Sequence, residues 1–168
     1  FFTECATLSI TFKLNIYAFS YNLGIESYYY VFDFDDMNQP SCDTEGKVAV
    51  GENAFLSNYS VGDKLDTLNG IQDVLVVGNT LQFESGAIYN GNVVYGFLTN
   101  LPLNQVSINN GTLRQDSVIN FDAAETEIKT LSNTLKNYTV NGTSEVSFGD
   151  LILTGTNPLL NVFAITKE

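Results

Sequence analysis

Four oxygen-bearing side chains crowd into the stretch DFDDMN: Asp33, Asp35, Asp36 and Asn38. Hard oxygen donors at that density are what a Ca2+ ion requires. A calcium loop of the EF-hand type also needs glycine at its sixth position and glutamate at its twelfth, and neither is present. Read as a strand, the stretch sends Asp33 and Asp35 to one face and Asp36 to the other. A polar strand end accounts for it better than a metal site, and no cofactor is expected. A second acidic pair, Asp43 and Glu45, has the makings of the two carboxylates of a glycosidase. No further motif accompanies it, and a turn ahead of GKVAVG explains it more simply. The chain has no histidine, which removes the commonest general base and the commonest transition-metal ligand. Arg114 is the only arginine, so a guanidinium clamp on phosphate or carboxylate is not expected. No catalytic residue is assigned, and the chain is read as a binding or structural module, not an enzyme.

The aromatic run YYYVF, residues 28–32, is a better candidate for contact chemistry. On a strand Tyr28, Tyr30 and Phe32 share one face and are expected in the core. Tyr29 and Val31 share the other, and Tyr29 is the expected binding position, since exposed tyrosine stacks on sugars or anchors a protein partner. Four triplets fit the N-glycan acceptor pattern, at Asn58, Asn110, Asn137 and Asn141. If glycosylated, each must face water. Cys5 and Cys42 are the only cysteines. In a secreted chain they would form one disulfide worth ~2–4 kcal/mol. Two separate buried thiols are the alternative.

Composition narrows the setting. The 168 residues are 44% hydrophobic and 15% charged, with 7 Lys plus Arg against 19 Asp plus Glu. This is a chain with a sizeable core. Its net charge of −12 argues against nucleic acid and anionic membrane as partners. No apolar run is long enough to form a transmembrane helix. The chain opens on Phe-Phe without an initiator methionine, as a trimmed or processed product would.

The elements that must position these residues are mostly strands. Leu8, Ile10, Phe12, Leu14 and Ile16 alternate with the period of a long N-terminal strand. GKVAVGEN, DVLVVGNT and GNVVYGFL repeat one pattern: a polar start, a β-forming run, then glycine. Their glycines, Gly51, Gly78 and Gly96, fall 27 and 18 residues apart. QVSINNGTL, 105–113, reads as a weaker fourth copy. Short strands closed by Gly or Asn at such intervals predict stacked coils whose inner rows fuse into one core. A β-sandwich with ordinary turn spacing is the alternative. Over 120–139 the period changes. Ala124, Ile128, Leu131, Leu135 and Tyr138 form one helical stripe, with Asp122 and Glu125 as a capping pair. The predicted fold is a β-solenoid with one flanking helix over about 121–137. After the helix, Leu151, Leu153, Leu160, Val162 and Ile165 are expected to line further solenoid walls.

These pieces together resemble the choice-of-anchor A domain, an adhesive domain of secreted and surface proteins. The resemblance rests on YYYVFDFDD, on SCDTEGKVAVGENAFLSNYSVG, on INFDAAETEIKTLSNTL and on LILTGTNPLLNVFAIT. Asp43, Glu45, Gly46, Val48, Ala49, Gly51 and Asn53 fall into one family motif. Gly155, Asn161, Val162 and Phe163 fall into another. Glu52 departs from it, standing where the family has a second glycine. The likeness implies an extracellular or cell-surface module with a β-helical body, and no catalytic residues. It divides the chain into an N-terminal strand extension, 1–27, and a domain, 28–168, that stops short of the family's further coils. The function it implies is adhesin-like attachment to a glycan or surface protein. The alternative is a structural subunit that polymerises by exchanging Leu8, Ile10, Phe12, Leu14 and Ile16 with a neighbour's sheet edge. Ice binding would need aligned Thr-x-Thr rows, and only LTGT hints at one.

Overall fold

The computed structural model describes residues 23–68, 71–147 and 149–165. Cys5 and the expected strand through Leu8 and Ile16 lie outside the described residues. The chain forms two compact units, one over Leu23–Thr126 and the other from Glu127 onward.

The first unit opens with a single 3-10 turn, Gly24–Tyr28, and then winds as a solenoid. Its strands are β1 (Val31–Asp33), β2 (Met37–Gln39), β3 (Cys42–Thr44), β4 (Val48–Val50), β5 (Ala54–Leu56), β6 (Tyr59–Val61), β7 (Asp73–Val77), β8 (Thr80–Phe83), β9 (Gly86–Ile88), β10 (Asn92–Tyr95), β11 (Leu98–Asn100), β12 (Val106–Ile108) and β13 (Leu113–Gln115). Three parallel sheets run up the coil. The first stacks β1, β4, β7, β10 and β13, the second β2, β5, β8 and β11, the third β3, β6, β9 and β12. Each coil therefore contributes one strand to each sheet, and β13 opens a further coil on the first sheet alone. The three glycine-ended repeats are β4, β7 and β10, in register as Val48, Leu75 and Val93. The fourth expected copy is out of phase. Its Val106–Ile108 belongs to the third sheet, and the in-phase rung is β13, which ends without glycine.

Every third of a turn sends side chains inward. Val48, Val50, Leu75, Val77 and Val93 meet Leu56, Leu81, Phe83, Val61 and Ile88 in one core, all essentially inaccessible to solvent. Burying such side chains stabilises by about 1.5–3 kcal/mol each before conformational entropy is counted. One polar pair sits among them: the hydroxyls of Thr44 and Tyr59 share a 2.5 Å hydrogen bond. Burial pushes the Tyr59 pKa up, against the opposing effect of that bond.

The first sheet is buried on both faces. Phe32, Ala49, Val76 and Val94 form a second apolar layer beneath Tyr29, Ile119 and Phe121. That is why β4, β7 and β10 read as unbroken apolar runs and not as alternation. The other two sheets show outer rows that are polar except for Phe55 and Ala87, Asn38–Phe55–Gln82–Asn100 and Asp43–Ser60–Ala87–Ser107.

The corners are laddered. Gly51, Gly78 and Gly96 stack so closely that a Cβ on Gly78 would land on the Gly51 carbonyl, and one on Gly96 on the Gly78 carbonyl. At another corner Asn90 and Asn110 both adopt left-handed backbone, with φ of 62° and 59°. The Asn110 amide donates to Asn90 Oδ1 at 3.3 Å, and the Asn90 amide donates to the Gly62 carbonyl at 3.2 Å.

Helix α1 (Phe121–Lys136) begins in the first unit and continues into the second. Its cap is Asn120, whose Oδ1 accepts the Ala123 amide at 3.0 Å, and not the expected Asp122–Glu125 pair. Asparagine immediately before the first helical residue is placed to reach that orphan N–H, whereas Asp122 already lies inside the turn. Ala124 is buried, and Ile128 and Leu131 are half-buried, as the stripe predicts. Leu135 and Tyr138 are exposed.

The second unit corrects the expectation of further solenoid walls. β14 (Thr143–Ser147) and β15 (Asp150–Thr154) pair as an antiparallel hairpin, and residues 160–165 form no strand. Gly149 in the tight connection has φ 89°, which turns the chain back on itself. Asn141 holds the return segment, donating to the Leu160 carbonyl at 2.9 Å and accepting the Val162 amide at 2.7 Å.

Candidate functional site

The acidic stretch at 33–38 serves the coil. Asp33 Oδ1 accepts the Asp35 amide at 3.0 Å. Asp36 Oδ1 takes two bonds from Asn53, from its backbone N–H at 2.9 Å and its side-chain amide at 2.8 Å. Asn53 Oδ1 accepts the Thr80 amide in turn, at 3.3 Å. These residues form a polar ladder up the corner between the first and second sheets. Among the described residues no group of three or more His, Cys, Asp or Glu is arranged to hold a metal ion. Asp43 and Glu45 are both exposed, one on each side of the inward-pointing Thr44.

Arg114 does form a carboxylate clamp, contrary to the expectation for a lone arginine, and its target is internal. Its two terminal nitrogens meet the two Asp73 oxygens at 2.7 and 2.8 Å across the first sheet. Asn92, between them in the stack, donates to Asp73 at 3.1 Å and accepts from the Thr112 backbone at 3.0 Å. Burial alone would raise the Asp73 pKa. The hydrogen bonds from Arg114 and Asn92 outweigh it and hold the carboxyl below its usual range. A depressed folded-state pKa contributes stability above the ordinary carboxylate pKa, and that contribution disappears as pH falls through the depressed value. Solvent reaches the pair, so about 1 kcal/mol is the expected size. Denaturant titrations from neutral pH downward are expected to show a shallower acid limb in Asp73→Asn than in the unaltered chain. Equal slopes would show that Asp73 does not carry this linkage.

The aromatic run departs from the expected alternation: Phe32 is packed as expected, but Tyr28 and Tyr30 are exposed and Tyr29 joins Phe32. Tyr29 is half-buried, packs edge-on against Phe32 with ring centroids 5.6 Å apart, and belongs to the outer layer of the first sheet. Burial, with the Asp73 charge second, pushes its pKa up to about 12. Val31 packs against the inner core. Tyr28 and Tyr30 are the free rings, 69% and 71% exposed. The reason is local. Residue 29 is extended (φ −114°, ψ 144°), and it turns inward where the 3-10 turn ends. Tyr28 still belongs to that turn, and strand alternation begins only at β1. The Tyr30 ring rests over Gly46, whose missing side chain leaves room for it.

Two concavities lie among the described residues. An open groove of ≈ 630 Å3 lies at the start of α1, between Phe34 and Phe121, and is rimmed by Asp35, Glu52, Asp122 and Glu125. A shallower one of ≈ 380 Å3 on the third sheet gathers Ser41, Asp43, Asn58, Ser60, Asp63 and Tyr89. Sequence reading missed both, because their residues come from different coils and only the register brings them together. The acceptor asparagines Asn58, Asn110, Asn137 and Asn141 are all exposed. Asn58 donates to Ser41 at 3.0 Å and Asn137 to the Asn133 carbonyl at 3.0 Å. Cys42 is half-buried at the start of β3. The Cys5–Cys42 pairing falls partly outside the described residues, as do Leu8, Ile10, Phe12, Leu14 and Ile16.

A family model described as "Putative Ice-binding-like adhesive domain" matches residues 22–168. No curated protein and no solved structure matches the chain. The match covers the solenoid, the helix and the hairpin together, and the chain belongs to this family of ice-binding-like adhesive domains.

Proposed function

We propose that this chain is a non-catalytic module of the cell surface or extracellular space that attaches its bearer to a glycan or protein ligand. Tyr28 and Tyr30 are its principal contact residues. The observation that carries this reading is that both tyrosine rings are largely exposed where the chain passes from the 3-10 turn into the first coil. Tyrosine gives a large amphipathic contact at small entropic cost, and its face suits a sugar ring. The polar concavity around Asp43, Ser60 and Tyr89 supplies hydroxyl, carboxylate and phenol groups of the kind that orient sugars.

The finer likeness to choice-of-anchor A domains belongs to the same proposal. Its motif residues have structural work: Gly51 in the corner ladder, Asn53 on Asp36, and Asn161 clasping Asn157, whose amide it accepts at 2.9 Å. A motif of this kind specifies a scaffold and leaves the ligand to the outer faces. Ice binding is disfavoured, because neither polar outer row contains aligned threonines. Nothing among the described residues favours polymerisation by exchange of the N-terminal strand.

On a glycan array and on immobilised surface proteins, Tyr28→Ala with Tyr30→Ala is expected to weaken binding about tenfold or more. Binding unchanged in that variant removes the tyrosines from the contact. Hydrolysis of a polysaccharide that is lost in Asp43→Asn or Glu45→Gln would overturn the non-catalytic part of the proposal.

A further inference from the structure

The two ends of the solenoid are differently guarded. At the first coil β1 carries Asp33, β3 carries Asp43, and Asp35 and Asp36 directly precede β2. At the other end β11 and β12 terminate the second and third sheets, with no strand on their far side among the described residues. Neither contains a charge. Between Glu84 and Arg114 the chain has no Asp, Glu, Lys or Arg at all, in a molecule of net charge −12. The same end exposes Phe97 (71%), Leu98 (57%) and Leu103 (72%). The Thr99 hydroxyl, inward-pointing at the level of Leu81, is buried there without a hydrogen-bond partner. Open strand edges are ordinarily protected by charge, above all by lysine, because bare edges pair with other chains. Here the protection is present at one end, while at the other only the first sheet, ending in β13 with Arg114 and, just past it, Asp116, carries charge and the β11 and β12 edges carry none.

We propose that the β11–β12 end is a self-association surface, on which a second copy of this chain docks tail to tail. The charge distribution selects that occupant. Two copies meeting by their first coils would bring Asp33, Asp36 and Asp43 against their counterparts, whereas the β11 and β12 edges carry no charge and the Arg114 beside them on β13 is already paired with Asp73 and Asp116. A two-fold arrangement is isologous and sets each bare parallel edge antiparallel to a partner's edge. It covers Phe97, Leu98 and Leu103 and closes at the dimer. A dimer so joined presents its two first coils, with their Tyr28 and Tyr30 rings, outward at opposite ends, where avidity multiplies weak attachment.

Sedimentation velocity of the full chain is expected to give a concentration-dependent dimer. Raising the salt is expected to tighten it, because salt screens the remaining like charges. The variant Leu98→Lys with Leu103→Lys places charge on exposed positions. It is expected to raise the dimer dissociation constant about tenfold or more, with an unchanged far-UV spectrum and melting temperature. Hydrogen exchange of the unaltered chain gives a readout that does not depend on the variant folding: β11 and β12 amides are expected to gain protection with concentration, and β2 and β3 amides to stay level. A monomer at about 100 µM, a concentration above the dissociation constant of a micromolar dimer, overturns the proposal. So does a dimer indifferent to the lysines, or open-ended polymers in place of a closed pair.

Discussion

Gly78→Ala is expected to collapse the solenoid, at a cost of about 3 kcal/mol or more, although it adds one methyl group. Gly78 sits in the middle of the corner ladder. A Cβ there would overlap the Gly51 carbonyl oxygen below and press on the Phe121 ring. Neither neighbour is free to yield. The Gly51 backbone is fixed by its own bond to Asp33, and the Gly78 amide is bonded to the Val50 carbonyl, both at 2.8 Å. The methyl must therefore spread two coils, which loosens the inner row of Val50 and Val77 on one side and the Phe121 contact on the other. A domain of this kind has about 5–15 kcal/mol in total, so the loss is a large share of it. Gly149→Ala is the matched control. No atom lies within 4 Å of a Cβ there, and only its φ of 89° resists substitution. Its cost is expected near 1 kcal/mol. Urea titration of both variants decides the matter: if Gly78→Ala costs no more than Gly149→Ala, coil spacing at this corner is not set by the glycines.

That ladder is also what made the fold legible. β4, β7 and β10 are apolar on both faces because one face fills the coil and the other lies under Ile119 and Phe121. Their glycines are required by backbone contact between coils. Both demands write themselves into composition, so the repeat is visible as VAVG, VVG and VVYG. The second and third sheets left no such trace. Their strands run mostly to three residues, with one or two side chains inward, and MNQ or CDT has no readable period. The register of the aromatic run was misread for a related reason. A two-residue alternation was extended backward from β1 into residues 28–30, where the chain is still leaving a 3-10 turn. The hairpin after α1 has apolar residues at strand spacing, and spacing alone does not separate an antiparallel pair from a coil wall.

The candidate contact surface was less legible than the scaffold. Tyr28 and Tyr30 were recognised as aromatic and assigned to the wrong face. The polar concavity on the third sheet needs Ser41 and Asp43 from one coil, Asn58, Ser60 and Asp63 from the next and Tyr89 from a third. No sequence window contains it. The acids that looked most like chemistry, Asp33 and Asp36, hold backbone and corner amides. Carboxylates are well suited to that work, since each oxygen accepts more than one N–H where coils turn.

Val94→Asp is expected to be as damaging as a core truncation, and it tests whether the outer face of the first sheet is truly an interior. Val94 is fully buried, yet it points away from the coil axis, toward the layer of Ala49, Val76 and Ile119. A carboxylate placed there loses its hydration, and the neighbouring cation, Arg114 beside it on β13, is already held by both oxygens of Asp73. Burial of an unpaired charge is among the few changes that cost about 4 kcal/mol or more. The carboxyl would escape part of that cost by taking up a proton, so its folded-state pKa is raised above the unfolded value. By linkage the penalty is then greatest at neutral pH and shrinks as pH falls through the raised value, opposite in sign to the behaviour expected of Asp73. Asn38→Asp places the same group on the exposed outer row of the second sheet and is expected to change stability by no more than about 0.5 kcal/mol. Measured by urea titration at neutral and mildly acidic pH, a large loss that is partly recovered in acid marks Val94 as interior. A loss as small as that of Asn38→Asp would mean that the segment Ile119–Phe121 lifts away from the sheet at little cost, and that this solenoid has one buried wall fewer than its sequence pattern requires.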